Sequence, residues 1–392
     1  MAIDIKNILE IVQRKIAAVG PSTSTEDLSY LLKLAKRLDG TTLVSYDSDG
    51  SLPDPATSNE RLAFITSTGQ VKFNNGAWDV IASEYQAPVP PPYYQGTSYG
   101  YSSGGTIPWA PAPSLNGSLL TIDKFDFASD GNAISAGTLA SRAHGGAGTS
   151  SSTTGYHSGG ASKYPNGTDI YETNNIRKFT FATDTSAADA GTLTVARLNT
   201  AGQSSATYGY TTGGMLGTSP LTYYLTIDKF SFTSDGNATS VGNAHAINYN
   251  YAGQQSTEYG YYSGGLSIGK FSFATDGNGT SVGALTANRY SGAGQSSATH
   301  GYQSGSNGNT TIDKWSFTSD ADATSVGVLT QGREWVNGGQ SSTEYGYAVG
   351  GLTPPSSTAW AIIEKFPFAT DANAASVGNL TQGRGRVAGH QI

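Results

Sequence analysis

The stretch YGYTTGG at 208–214, followed by LTIDKFSF at 225–232 and DGNATSVG at 235–242, recurs with small changes six times between Gly100 and the C-terminus. Its Gly-Tyr pair stands at Gly100-Tyr101, Gly155-Tyr156, Gly209-Tyr210, Gly260-Tyr261, Gly301-Tyr302 and Gly346-Tyr347, with 41 to 55 residues between successive copies. That period fits a four-stranded propeller blade, a unit that buries neither face until neighbours stack on it. The repeat predicts a mainly β chain closed into a six-bladed β-propeller.

Side chains alternate across a strand, so the aromatic pairs Phe125/Phe127, Phe179/Phe181, Phe230/Phe232, Phe271/Phe273, Trp315/Phe317 and Phe366/Phe368 share one face. There they can fill the space between stacked blades. The lysine between them (Lys124, Lys178, Lys229, Lys270, Lys314, Lys365) faces the other way. A charge inside a blade is costly unless paired, so each lysine is expected to snorkel or to bond backbone carbonyls. The segments at Asp130, Asp184, Asp235, Asp276, Asp320 and Asp371 carry Gly and Asn partners suited to tight hairpins and read as turns. They sit where the Asp-boxes of sialidase-like propellers sit, without their spacing or terminal aromatic.

Four strands can be named within each unit: A, an Arg stretch ending near AGQS; B, with GY and GG; C, with IxKF; and D, with VGxLT. The repeats open at strand B near Tyr99, and the chain stops within strand A, 384–392. Six complete blades then require the C-terminal A strand to join the first B, C and D strands, which removes an exposed sheet edge. The arrangement resembles the Kelch family, with Arg197, Gly213-Gly214, Phe230 and Leu193 at the corresponding positions, over about three quarters of the chain. The usual Trp of the fourth strand is missing, so the resemblance is Kelch-like. Some such propellers are copper oxidases with a Tyr–Cys crosslink, and this chain has no Cys.

Only 13% of residues are charged, against roughly 25% in ordinary domains, and Gly, Ser, Thr, Asn and Tyr take their place. This is the composition of adhesive extracellular or virion proteins. A net charge of −7 disfavours nucleic acid as a partner. Without Cys there is neither a disulfide nor a thiolate metal site. No apolar run reaches the ~20 residues of a membrane span, and the start is not read as a signal peptide.

The first 40 residues differ in kind. Ile5, Leu9, Val12, Ile16 and Val19 line one helical face; Thr23 and Glu26 form a capping box; Leu28, Leu31, Ala35 and Leu38 make a second stripe. Two amphipathic helices without a core of their own are expected to attach to an assembly or to other copies of the chain. Residues 41–86 read as a small β module, an antiparallel meander of 61–65, 70–73 and 77–81. Residues 87–97 are a Pro-rich spacer and 98–392 the ring. The module, with LAF at 62–64, GQV at 69–71 and NGAW at 75–78, resembles small β modules in structural proteins of tailed phages, especially phages of aquatic bacteria.

The B–C loops vary greatly (106–121, 161–175, 215–226, 266–267, 307–311, 352–362), while the connections on the other face keep their lengths. Loops on a rigid scaffold carry function. These contain Trp109, Tyr164, Tyr171, Tyr223, Tyr224 and Trp360, aromatics suited to stacking on sugar rings. The expectation is a virion-located tail-fibre or appendage subunit. Residues 1–86 would meet other virion proteins, and the B–C face would meet a host-surface glycan or receptor. A purely structural neck or decoration protein is the alternative, and a glycan-cleaving enzyme is disfavoured because the loops hold few acids (Asp169, Glu172). No catalytic residue, cofactor or metal is expected, since His144, His157, His245, His300 and His390 fall in different units.

Overall fold

The computed structural model describes residues 43–46, 52, 54, 62–65, 70–74, 78–82, 95–107, 117–163, 170–217, 220–246, 250–336, 338–353 and 358–392. The chain divides into two units, Met1–Pro90 and Pro91–Ile392. In the first, Leu62–Ile65, Gln70–Asn74 and Trp78–Ala82 form an antiparallel meander. A further strand, Leu43–Tyr46, adds to it in parallel. That strand is only four residues long and is joined to its partner Leu62–Ile65 by a long connection rather than a tight hairpin, which is why the sequence pattern does not announce it. The two helical stripes, from Ile5 to Leu38, lie outside the described residues.

The second unit is a six-bladed propeller. Blades 2, 3, 5 and 6 have their strands in the order A-B-C-D. Their A strands are Ala147–Ser150, Ala201–Ser204, Ala293–Ser296 and Gly338–Ser341. In blade 4 the A strand is Ala252–Gln255, and B and C merge into one run, Tyr259–Ser272, bent so that Gly260 lies against the Phe271 ring. Blade 1 is completed by the C-terminal strand Ala388–Gln391, which pairs antiparallel with Tyr99–Ser103. The innermost strands touch in an unbroken circle, the last against the first.

Three layers of contact hold the blades together. The first is aromatic: each Gly-Tyr tyrosine is buried against the C-strand aromatics of the next blade, as in Tyr101 with Phe179 and Phe181, and Tyr210 with Phe271 and Phe273. The seam uses the same contact, Tyr347 on Phe125 and Phe127. The second layer is axial. Gly148, Gly202, Gly253, Gly294, Gly339 and Gly389 approach so closely that a Cβ on any of them would stand 2.0 to 2.3 Å from the carbonyl oxygen of the preceding one in the circle. Only glycine fits there.

The third layer is ionic, and here the structure departs from the sequence reading. The lysines neither snorkel nor bond carbonyls. Each reaches the hairpin aspartate of the next blade: Lys124–Asp184, Lys178–Asp235, Lys229–Asp276, Lys270–Asp320, Lys314–Asp371 and, across the seam, Lys365–Asp130, at 2.6 to 2.9 Å. The Asp segments are turns that also dock onto the neighbouring blade. Asn237, Asn278, Asn373 and Asn132 each accept a backbone N–H from that neighbour's D strand. Being part-exposed, each pair contributes at most about 1 kcal/mol. Their repetition makes the lower face a uniform clasp.

Candidate ligand-binding face

The opposite face is built from the B–C loops and the connections that lead into the A strands. Just ahead of each A strand one residue takes a left-handed backbone: Gly145 (φ 68°), Asn199 (58°), Asn250 (77°), Ser291 (62°), Trp335 (52°) and Arg386 (55°). Their peptides bond head to tail around the axis: Gly145 N–H to Arg386, Asn199 to Gly145, Asn250 to Asn199, Ser291 to Asn250, Val336 to Ser291 and Arg386 to Trp335, at 2.6 to 3.1 Å. Gly and Asn adopt this conformation readily. For Trp and Arg it stores on the order of 1–3 kcal/mol, the kind of strain that concentrates at functional sites.

This collar frames a pocket of about 320 Å³. Its polar lining includes Asn199 and Asn250, 4% and 6% exposed, whose Oδ1 atoms have no hydrogen-bond partner in the protein. Arg386 lies 3.9 Å above the Trp335 ring, and its Nε is buried and unpartnered. Burial lowers its guanidinium to about 10, against the opposing pull of Glu334. Leu198 and Met215 give the apolar wall. Glu172 accepts the Gly217 N–H at 2.8 Å and so joins the hairpins of blades 2 and 3. Below the collar a polar channel of about 50 Å³ runs between the axial glycines. At its lower rim the buried Gln95 donates to the Ser296 and Ser342 carbonyls.

Beneath the loops lie buried ion pairs that explain the Arg and Leu-Thr phrases of the repeat. Arg197 pairs with Asp228, Arg289 with Asp313, Arg333 with Glu364 and Arg384 with Asp123, all essentially without solvent exposure. Thr194, Thr286, Thr330 and Thr381 donate their backbone N–H to the same carboxylates. The two remaining blades lack this pair, and in blade 2 Arg142 bonds the Ser118 carbonyl instead. Blade 2 has Arg177 on strand C, bonded to Ser141, Thr173 and the Gly159 carbonyl. Blade 4 has Gly269, with His245 and Tyr262 filling the vacated room.

The histidines are not all scattered. Ser103 Oγ bridges His157 Nδ1 and His390 Nε2, each at 2.8 Å, and His144 Nδ1 meets Ser118 Oγ at 2.7 Å nearby. Burial lowers His157 well below the usual imidazole range, and lowers His390 to about 4, opposed by its bond to the Thr149 carbonyl. Among the described residues no group of three or more His, Asp or Glu side chains is placed to hold a metal ion. Nor does any helix there have the length and apolarity to cross a membrane.

Of the aromatics singled out in the sequence, Trp109 and Tyr164 lie outside the described residues. Tyr171 and Tyr223 stand on the B–C hairpins of blades 2 and 3, 55% and 37% exposed. Tyr224 is half-buried, its N–H bonded to the Gly214 carbonyl. Trp360 is half-buried and gives its indole N–H to Thr353 Oγ1, so it pins its own hairpin. The pocket residues Asn199, Asn250, Trp335 and Arg386 escape a loop-centred reading because they sit beside the axis. The available signal was an Asn two residues ahead of the Ala-Gly pair at Ala201 and Ala252, a residue suited to positive φ.

No family model matches the chain, and no curated protein matches its sequence. Among solved structures it is similar to YjhT, with a TM-score of 0.52 and 12% identity, covering 73% of this chain and 98% of that one. At this identity the likeness shows the propeller fold alone.

Proposed function

We propose that this chain is a virion display protein of a tailed phage, a fibre or appendage subunit whose B–C face recognises a host-surface glycan. One observation carries the reading: the two faces of the ring are built differently. The lower face is a repeated clasp of Lys–Asp pairs and docked hairpins. The upper face bears Tyr171, Leu221, Tyr223 and Leu266, 37 to 55% exposed, on the hairpins of three adjacent blades. Exposed apolar groups gathered in one sector are a mark of recognition. The chain enters on the lower face through Gln95 and Gly96, leaving the loops unobstructed by that segment. The Kelch-like reading of the repeats belongs to this proposal too. It is supported by the packing of Arg384, an Arg of that phrase, against Gly105 of the Gly-Gly pair.

The test is binding of the fluorescently labelled full chain to bacterial cells and to purified capsular polysaccharides. Tyr171→Ala with Tyr223→Ala and Leu266→Ser is expected to weaken binding severalfold with little change in Tm, since these side chains lie outside the blade cores. Unaltered binding by the folded variant, or none by the parent chain, would favour a purely structural neck or decoration role.

A further inference from the structure

We infer that the collar pocket is a saccharide site for a neutral pyranoside unit, held by hydroxyl groups that donate to Asn199 and Asn250. The inference rests on the glycan-recognition reading and gives it a place and a ligand chemistry.

The observations are independent of the exposed aromatics. Two amide oxygens are more than nine-tenths buried at the pocket and lack any partner in the protein. A buried acceptor left unpaired is costly, and such groups in native proteins ordinarily meet a ligand or water. The Asn199 amide nitrogen is already turned toward the Met215 sulfur at 3.7 Å, which leaves its oxygen as the free end. Acceptors select ligands with donors, and a sugar presents hydroxyl donors around a ring whose C–H face is apolar. Leu198, Met215 and Trp335 provide the surface for that face. The volume, about 320 Å³, stands at the small end of ligand pockets and suits a single sugar unit better than an extended chain.

Charge decides against an acidic sugar. Among the described residues lining the pocket the one Arg or Lys is Arg386, which is committed to the Trp335 ring and lies within the field of Glu334. Glu172 places a carboxylate on the opposite wall. A ligand carboxylate would meet the Glu172 carboxylate and one engaged guanidinium, whereas hydroxyls can donate to Glu172 as well. Entry is from the loop face, because the axial glycines narrow the channel below.

The experiment uses the full-length chain and saturation-transfer NMR with the methyl glycosides of glucose, galactose, mannose and N-acetylglucosamine, with methyl glucuronide and N-acetylneuraminic acid as acidic comparators. At least one neutral glycoside is expected to bind, and neither acid to bind better. Asn199→Gly with Asn250→Gly keeps the left-handed backbone while deleting both amides, and is expected to weaken binding at least tenfold with the Tm held within a few degrees. Should the double variant be unstable, Met215→Ala, which leaves the collar intact, is expected to weaken binding severalfold. Binding of none of the neutral glycosides, preference for an acid, or undiminished binding by the folded variants would overturn the inference. Cell binding measured alongside separates the two readings. Cells bound equally by parent and double variant, with glycoside binding lost in the variant, would place host recognition on the outer loops while supporting the pocket as a saccharide site. Glycoside binding without cell binding would support the pocket while removing the display role.

Discussion

Asp313 shows what a single side chain does in this ring. It is wholly buried, held by Arg289 at 3.0 Å and by the hydroxyl and backbone N–H of Thr286. Removing one partner of such a pair leaves an uncompensated charge, whereas removing both can cost little. Arg289→Met is therefore expected to destabilise the propeller by ~3–5 kcal/mol, and Arg289→Met with Asp313→Leu to recover part of that, read from urea midpoints. Blade 4 has in effect made the double change, with Gly269 on strand C and Asn248 in the sequence where an Arg stands elsewhere. His390 gives a second residue-scale prediction. Its folded-state value of about 4 lies below the ordinary 6.5, so the unfolded chain takes up the proton first. Stability is complete above about pH 6.5 and falls as pH drops toward 4, by on the order of 3 kcal/mol from this group. His390→Gln installs the residue found at Gln203, Gln254, Gln295 and Gln340, where it donates to the next blade's tyrosine carbonyl. A shallower loss of stability between pH 7.5 and 5 is expected in the variant. An identical pH dependence would exclude His390 as the source.

At the scale of elements, the A strands carry the most constraint per residue. Gly202→Ala would put a methyl group 2.1 Å from the Gly148 carbonyl oxygen, with backbone on both sides and nothing soft to yield. Overpacking of this kind costs typically 1–3 kcal/mol, and a Tm lower by several degrees is the expected reading. Deleting residues 387–392 removes the last A strand, bares Tyr99–Ser103 and takes Gly389 out of the axial circle. Aggregation, or a much larger fall in Tm than for Gly202→Ala, is expected, because the deletion opens an edge as well as a core. The strands were legible because each is a contiguous phrase whose alternation speaks for itself. The lysine partners and the collar were not, because they join residues from different blades that only closure brings together. The loss of the strand-C acid in blades 2 and 4, accompanied in blade 4 by loss of the Arg, was visible as letters, but its meaning depended on knowing that Arg289 and Asp313 touch.

For the molecule as a whole, the seam between Ala388–Gln391 and Tyr99–Ser103 has a mechanical consequence. The Ile392 carbonyl accepts the N–H groups of Ser98 and Tyr99 at 2.7 and 2.9 Å, so the incoming chain and the chain's end meet at one corner of blade 1. A tether pulling there against a ligand gripped at the collar would load strand B of blade 1 along its own length. Its ladder bonds to both neighbours lie crosswise to that pull. They would be sheared together rather than peeled one after another. In a force spectrometer, stretching between residue 95 and the loop face should require higher rupture forces than stretching between residue 95 and Ile392, which unzips the seam from its end. Under the proposed display role, a particle tugged by flow while holding its host would load the ring in the direction that resists tension best.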